Sequence, residues 1–379
     1  IFVSSGATMI LGGNAQAGQV FLGGDGKLRF HESFQSASAC VGMEDPSNTM
    51  ENAKESYLST ITGMDEDYVI AYDAVKQVLY LQAKGHYHCV CVGSEVTGHS
   101  SCQQVLWQPV PAIANYKITI NESGHYYLEQ SVAATLVIGE GVTVDLCLNG
   151  FNLSAGTPVT VGTGATLNIC DHTGLGWIFS TKTDSSGYAV KVDGGTVNLY
   201  SGILSGKHSD KQAYNRPVQL VSGVFNMYGG AIQNGKAKSG EHGGNVHVVG
   251  GSFTMYGGII QNGYTNKHGG NVCVQNGTFT MLGGSITDGK ADGKGGNVVL
   301  LSDKDTRLAR FILENGLIQN GTAQNGGNIC VNAVTGSSVF TMYGGTLSGG
   351  AAPEKGGNLL VNVGPDARGV IPEESMKIL

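Results

Sequence analysis

Six side chains able to bind a soft or borderline metal ion crowd into 17 positions, in the runs His86-Tyr-His-Cys-Val-Cys91 and His99-Ser-Ser-Cys102. Thiolate sulfur and imidazole nitrogen are the usual donors of tetrahedral zinc sites. Cys89, Cys91, His99 and Cys102 make a Cys3His set, with His86 or His88 able to replace one cysteine because Cys-x-Cys chelation is less common than Cys-x2-Cys. Four good ligands leave no open place for water, so the expected cofactor is a structural Zn2+ stapling a short linker poor in apolar residues. A Cys–Cys bridge flanked by surface histidines is the competing reading. Of the other cysteines, Cys147 and Cys170 lie 23 residues apart, near one repeat length, and are expected to stack or bridge. Cys273 and Cys330 fall two repeats apart, too far for a disulfide at ~4.8 Å per stacked strand.

Hydrolysis of a glycosidic bond would need paired outward carboxylates, and β-elimination a basic residue beside Ca2+-binding acids. No acid–base pair recurs within a strand, and no catalytic residue is assigned. The best remaining positions are Asp303 and Asp305, in the insertion Ser302–Arg310 with Lys304, Arg307 and Arg310, and the pair His242 and His268, which occupy equivalent places in adjacent repeats. A solvated loop and a stacked surface pair are the plain structural alternatives.

All of these must be positioned by a repeat. The segment Phe253-Thr-Met-Tyr-Gly-Gly-Ile-Ile-Gln-Asn-Gly263 with Gly269-Gly-Asn-Val-Cys-Val274 recurs, and its Gly-Gly-Asn places asparagines at Asn245, Asn271, Asn297, Asn328 and Asn358, in steps of 26, 26, 31 and 30. Each unit carries three short apolar pieces, such as Val246-x-Val248, Phe253-x-Met255 and Ile260, two of them alternating with period two. Strands so short close no core alone, but stacked repeats do. A period of 26–31 with three strands per turn predicts an all-β, right-handed parallel β-helix. Stacking then gives the columns meaning. Phe225, Phe253, Phe279, Phe311 and Phe340 form an interior stack, and the Asn column bonds between coils and to turn backbone. Tyr228, Tyr256 and Tyr343 face outward, where they could stack on sugar rings.

Composition agrees. Gly is 60 of 379 residues without a triplet period, Pro is 8, and charged residues are 13%, about half the usual share. A formal charge of −7 disfavours a nucleic-acid partner, and no apolar run reaches the ~18 residues of a spanning helix. The chain begins at Ile1 without a leader and reads as a piece of a longer precursor. Residues 1–30, with Gly12-Gly-Asn14, read as the last coil of an upstream array, and 31–85 as a β-rich cap. Residues 86–109 read as the Cys/His-rich junction, 110–363 as the parallel β-helix and 364–379 as the start of a following cap.

The order Gly124-His-Tyr-Tyr-Leu128, Leu146-Cys-Leu-Asn-Gly150, Ala165-Thr-Leu-Asn-Ile-Cys-Asp171 and then Met-Tyr-Gly-Gly units resembles the pectate-lyase-like β-helix repeat regions of large Firmicutes surface proteins, particularly those of gut Clostridia. The resemblance covers residues 86 to 363. It implies an extracellular or cell-wall-associated chain with further tandem β-helix domains, acting as adhesin or stalk. Glycans or host and cell-wall components are its implied partners. The fold hosts enzymes as readily, so a polysaccharide lyase or glycoside hydrolase is the alternative.

Overall fold

The computed structural model describes residues 1–35, 38–44, 48–63, 68–83, 87–88, 90, 105–182, 184–206, 214–302, 306–364 and 368–370. The chain is all-β with long parallel sheets. Among the described residues the one helical element is a 3-10 turn, Glu55–Ser59. It divides into two compact units, Ile1–Tyr87 and His88–Leu379.

In the first unit, Phe2–Val3, Gly18–Leu22, Ala39–Met43 and Ile61–Gly63 pair in parallel, as do Thr8–Leu11, Lys27–Phe30 and Thr49–Glu51. The parallel ladder therefore continues past residue 31 as far as Gly63. It ends where Val78–Ala83 runs antiparallel to both Thr49–Glu51 and Tyr68–Asp73. Leu22, Leu28, Phe30, Val41, Met50, Ile61 and Leu79 fill its core.

The second unit is built from the repeat. Each unit gives two strands to a 19-stranded sheet and one to a 9-stranded sheet. Val246–Val248 and Ser252–Met255 enter the first, and Ile259–Gln261 the second. Every strand pairs in parallel with its counterpart one repeat on, and the register runs Val197, Phe225, Phe253, Phe279, Phe311, Phe340. Alternation decides the faces: Val246, Val248, Phe253, Met255 and Ile260 are fully buried, while the residues between them are not. Phe225, Phe253 and Phe279 stack with centroids 4.7 and 4.5 Å apart, and Phe311 then tilts by 53°. That tilt follows the longer step carrying Ser302–Arg310.

Two backbone features make the corners. Asn234, Asn262, Asp288 and Asn320 hold φ of 56 to 57°, the left-handed conformation in which Asn and Asp are tolerated. The glycine of Gly-Gly-Asn that adjoins the asparagine is forced by contact, since a Cβ on Gly270 would lie 2.1 Å from the Gly296 carbonyl oxygen.

Candidate functional site

Outward positions line up as strictly as inward ones. The position after each inward pair runs Tyr127, Cys147, Cys170, Tyr200, Tyr228, Tyr256, and on through Leu282, Glu314 and Tyr343. The two cysteines thus occupy the tyrosine column. Tyr200, Tyr228 and Tyr256 stack nearly parallel, 4.9 and 4.7 Å apart. Both faces of Tyr228 are therefore covered by neighbouring rings and closed to a sugar, leaving ring edges exposed. Burial, then the adjoining phenol, pushes the Tyr200 and Tyr228 hydroxyls up. Tyr343 stands apart at 68% exposure.

The neighbouring outward column starts as a polar ladder. His125 pairs with Asp145 at 2.5 Å, and Asp145 accepts from Asn168. The amides then continue through Asn198 to Asn226 at 2.7 and 2.8 Å.

Where these columns meet the first turns, Cys147, Asp171 and His172 converge. One ligand atom from each lies within 4.8 Å of the others, and among the described residues this is the one such group of three. Cys147 and Cys170 are direct partners across parallel strands, buried with Trp107, and form no disulfide. Val90, Tyr127 and Tyr200 pack against them. Cys147 Sγ lies 3.7 Å from His172 Nδ1. Asp171 is only 1% exposed. Its Oδ1 accepts from the backbone N–H groups of Gly150 and Thr173 and from the Thr173 hydroxyl, and its Oδ2 from the Gly176 N–H at 2.5 Å. The turn Asp171–Gly176 thus wraps its own carboxylate and presents His172 outward. Burial foremost, then the Cys147 thiol and the charges of Asp145 and Asp171, pushes the Cys170 thiol well above its ordinary range.

A second polar cluster surrounds Arg216, which is 4% exposed. Its guanidinium donates to Glu241, to the His242 carbonyl at 3.0 Å and to the Tyr188 hydroxyl at 3.3 Å, and meets His247 Nδ1 at 2.7 Å. Burial and that guanidinium lower His247 to about 3. His242 and His268 stack at 5.1 Å. The His268 Nδ1 accepts from the Lys294 N–H, and burial with the Lys294 charge lowers its pKa to about 4. A neutral ring with its acceptor already used is a structural histidine.

The Asn column is saturated. The Nδ2 groups of Asn245, Asn271, Asn297 and Asn328 each donate to the next asparagine at 2.7 to 2.8 Å and to a carbonyl of the neighbouring turn. Each Oδ1, including that of Asn358, accepts from a corner glycine N–H. Cys273 and Cys330 form no disulfide and sit buried with Val299 and Leu301 outside the main core.

Of the sequence-predicted ligands, His86, Cys89, Cys91, His99 and Cys102 lie outside the described residues, as do Asp303 and Asp305; of His88 the backbone alone is described. The trio Cys147, Asp171 and His172 was not singled out from sequence as a site, although Cys170-Asp-His172 following a cysteine in register was the available signal. Among the described residues no helix is long and apolar enough to cross a membrane. The chain matches no protein-family model, no curated protein and no solved structure.

Proposed function

We propose that the stacked sheets close as a right-handed parallel β-helix and that the chain is a non-catalytic extracellular or cell-surface repeat protein, acting as a stalk. One observation carries this reading: the self-pairing ladder from Asn245 to Asn358, with the phenylalanine column beneath it, spends its polar and aromatic groups on the next repeat. Such an array specifies length and stiffness rather than a cleft. The adhesin form of the same reading places glycan contact on Tyr343, whose ring is exposed and, among the described residues, stacked by no other ring.

Single-molecule stretching of the full chain tests the stalk, with the stacked repeats expected to resist extension and then unfold stepwise. Incubation with pectins and mucin glycans should release no reducing or unsaturated ends. Release of either would overturn the non-catalytic reading in favour of a polysaccharide-degrading enzyme. Glycan-array binding abolished by Tyr343→Ala would establish the adhesin form.

A further inference from the structure

Asp171 is a buried carboxylate without a cationic partner: none of the ion pairs among the described residues includes it. Backbone N–H groups orient it but carry no full charge to set against its own. A thiol and an imidazole nitrogen stand within 4.8 Å of that carboxylate. For tetrahedral Zn2+, with bonds of ~2.3 Å to sulfur and ~2.0 Å to nitrogen, the sulfur–nitrogen edge is about 3.5 Å. The observed Cys147 Sγ to His172 Nδ1 distance is 3.7 Å.

We propose that Cys147 Sγ, an Asp171 carboxylate oxygen and His172 Nδ1 bind one Zn2+ ion, with the Cys170 thiol as hydrogen-bond donor to the Cys147 sulfur and water in the fourth place. The charges balance, because one thiolate and one carboxylate neutralise the dication, and binding releases the Cys147 proton to solvent. Bonds from Gly150, Thr173 and Gly176 hold the carboxylate as outer contacts hold a metal ligand. Cys170 faces Cys147 across the parallel strands in the same buried cluster, where its thiol is placed to donate to the Cys147 sulfur. His172 is exposed, so the ion enters along its edge and the fourth place faces solvent. Three protein ligands with one open place leave the ion within reach of water or a small solute.

The test uses the reduced full chain carrying Cys89→Ser, Cys91→Ser and Cys102→Ser, which removes the other cysteine cluster. After loading with Zn2+ alone and dialysis, elemental analysis should find one equivalent per chain. Cys147→Ser should weaken binding more than about 100-fold and His172→Gln about 10- to 100-fold, while Cys170→Ala keeps the stoichiometry and weakens binding about 10-fold. With Co2+ as stand-in, a thiolate charge-transfer band should vanish in Cys147→Ser and persist in Cys170→Ala. His172→Gln changes an exposed side chain and guards against misfolding as the cause of loss. Absence of zinc from folded background protein overturns the proposal, as does undiminished binding in Cys147→Ser or His172→Gln.

Discussion

Replacing Asn297 by alanine removes four hydrogen bonds at once, and their fates differ. The Gly289 N–H loses the amide oxygen it donates to at 2.9 Å and is orphaned in a buried corner. The other three groups keep a partner. Asn271 Nδ2 still donates to the Thr287 carbonyl, Asn328 Oδ1 still accepts from Gly321, and the Gln319 carbonyl still accepts from Asp288. One orphaned buried donor costs ~1–3 kcal/mol and three weakened bonds ~0.5–1 kcal/mol each, giving about 2.5–6 kcal/mol. Asn358→Ala removes the same chemistry from an exposed position, where water replaces the bonds from Asn328 and Gly350, and should cost about 1 kcal/mol or less. Urea unfolding of both variants, with hydrogen exchange of the segment 285–300 read alongside because repeat arrays can open locally, measures the difference. Asn297→Asp keeps the acceptor but turns a negative charge toward the Gln319 carbonyl, and should be at least as damaging as alanine. If Asn297→Ala were no worse than Asn358→Ala, the ladder would be a consequence of stacking rather than a cause of it.

The corner at Asn262, with φ of 56°, should accept glycine with little change, whereas Asn262→Val should cost about 1–2 kcal/mol in urea titration because a β-branched residue resists the left-handed conformation. Gly270→Ala should prevent accumulation of folded protein, since its Cβ would meet backbone at 2.1 Å. Gly162→Ala, with nothing within 4 Å, should leave the denaturation midpoint unchanged. Acid should weaken the fold between pH 6.5 and about 3. His268 and His247, ordinarily near 6.5, are lowered to about 4 and about 3, so below pH 6.5 the unfolded chain binds protons that the folded chain refuses. Stability is full above pH 6.5 and falls as pH drops, and His268→Gln should flatten the upper part of that slope in denaturation series at stepped pH.

The inward half of the repeat was legible because burial writes itself into sequence with period two. Phe253-x-Met255 and Val246-x-Val248 have no other simple reading once they recur every 26 to 31 residues. Outward positions were harder, because sequence gives a column but not how its members turn. The tyrosines suggested a flat platform for sugars, yet at a strand spacing near 4.8 Å, planar side chains gain most by lying face to face, so Tyr228 is covered on both sides. Cys147 and Cys170 were placed one repeat apart correctly by counting, but the trio with Asp171 and His172 depends on a turn that folds back on its own carboxylate. Nothing in residue spacing states the direction of that turn. The left-handed corners were the reverse case: Asn-Gly at Asn234, Asn262 and Asn320 is a readable turn signal, and the φ values make it specific.

Stacking also constrains where chemistry can sit. A residue repeated at every level meets its own copy a strand spacing away, so the column favours groups that complement themselves: amides donate and accept, aromatic faces stack, and apolar side chains pack. Asn245 to Asn358 and Phe225 to Phe340 are of this kind, and each satisfies its neighbour. A charged or ligating side chain fails the test, because its copy would repel it at ~4.8 Å. Three buried charges among the described residues of the second unit appear singly in their columns. Asp145 lies between His125 and Asn168, Arg216 faces Glu241 and His247, and Asp171 is followed in its column by Ser201, whose hydroxyl accepts from the Asp171 N–H. Arg216 finds its counter-charge, Glu241, within the chain. Asp171 does not, and it is the one of the three with a thiol and an imidazole turned toward it. In a molecule whose regular positions consume their own bonding capacity, a break in the ladder that remains unbalanced is where an ion from outside has something to complete.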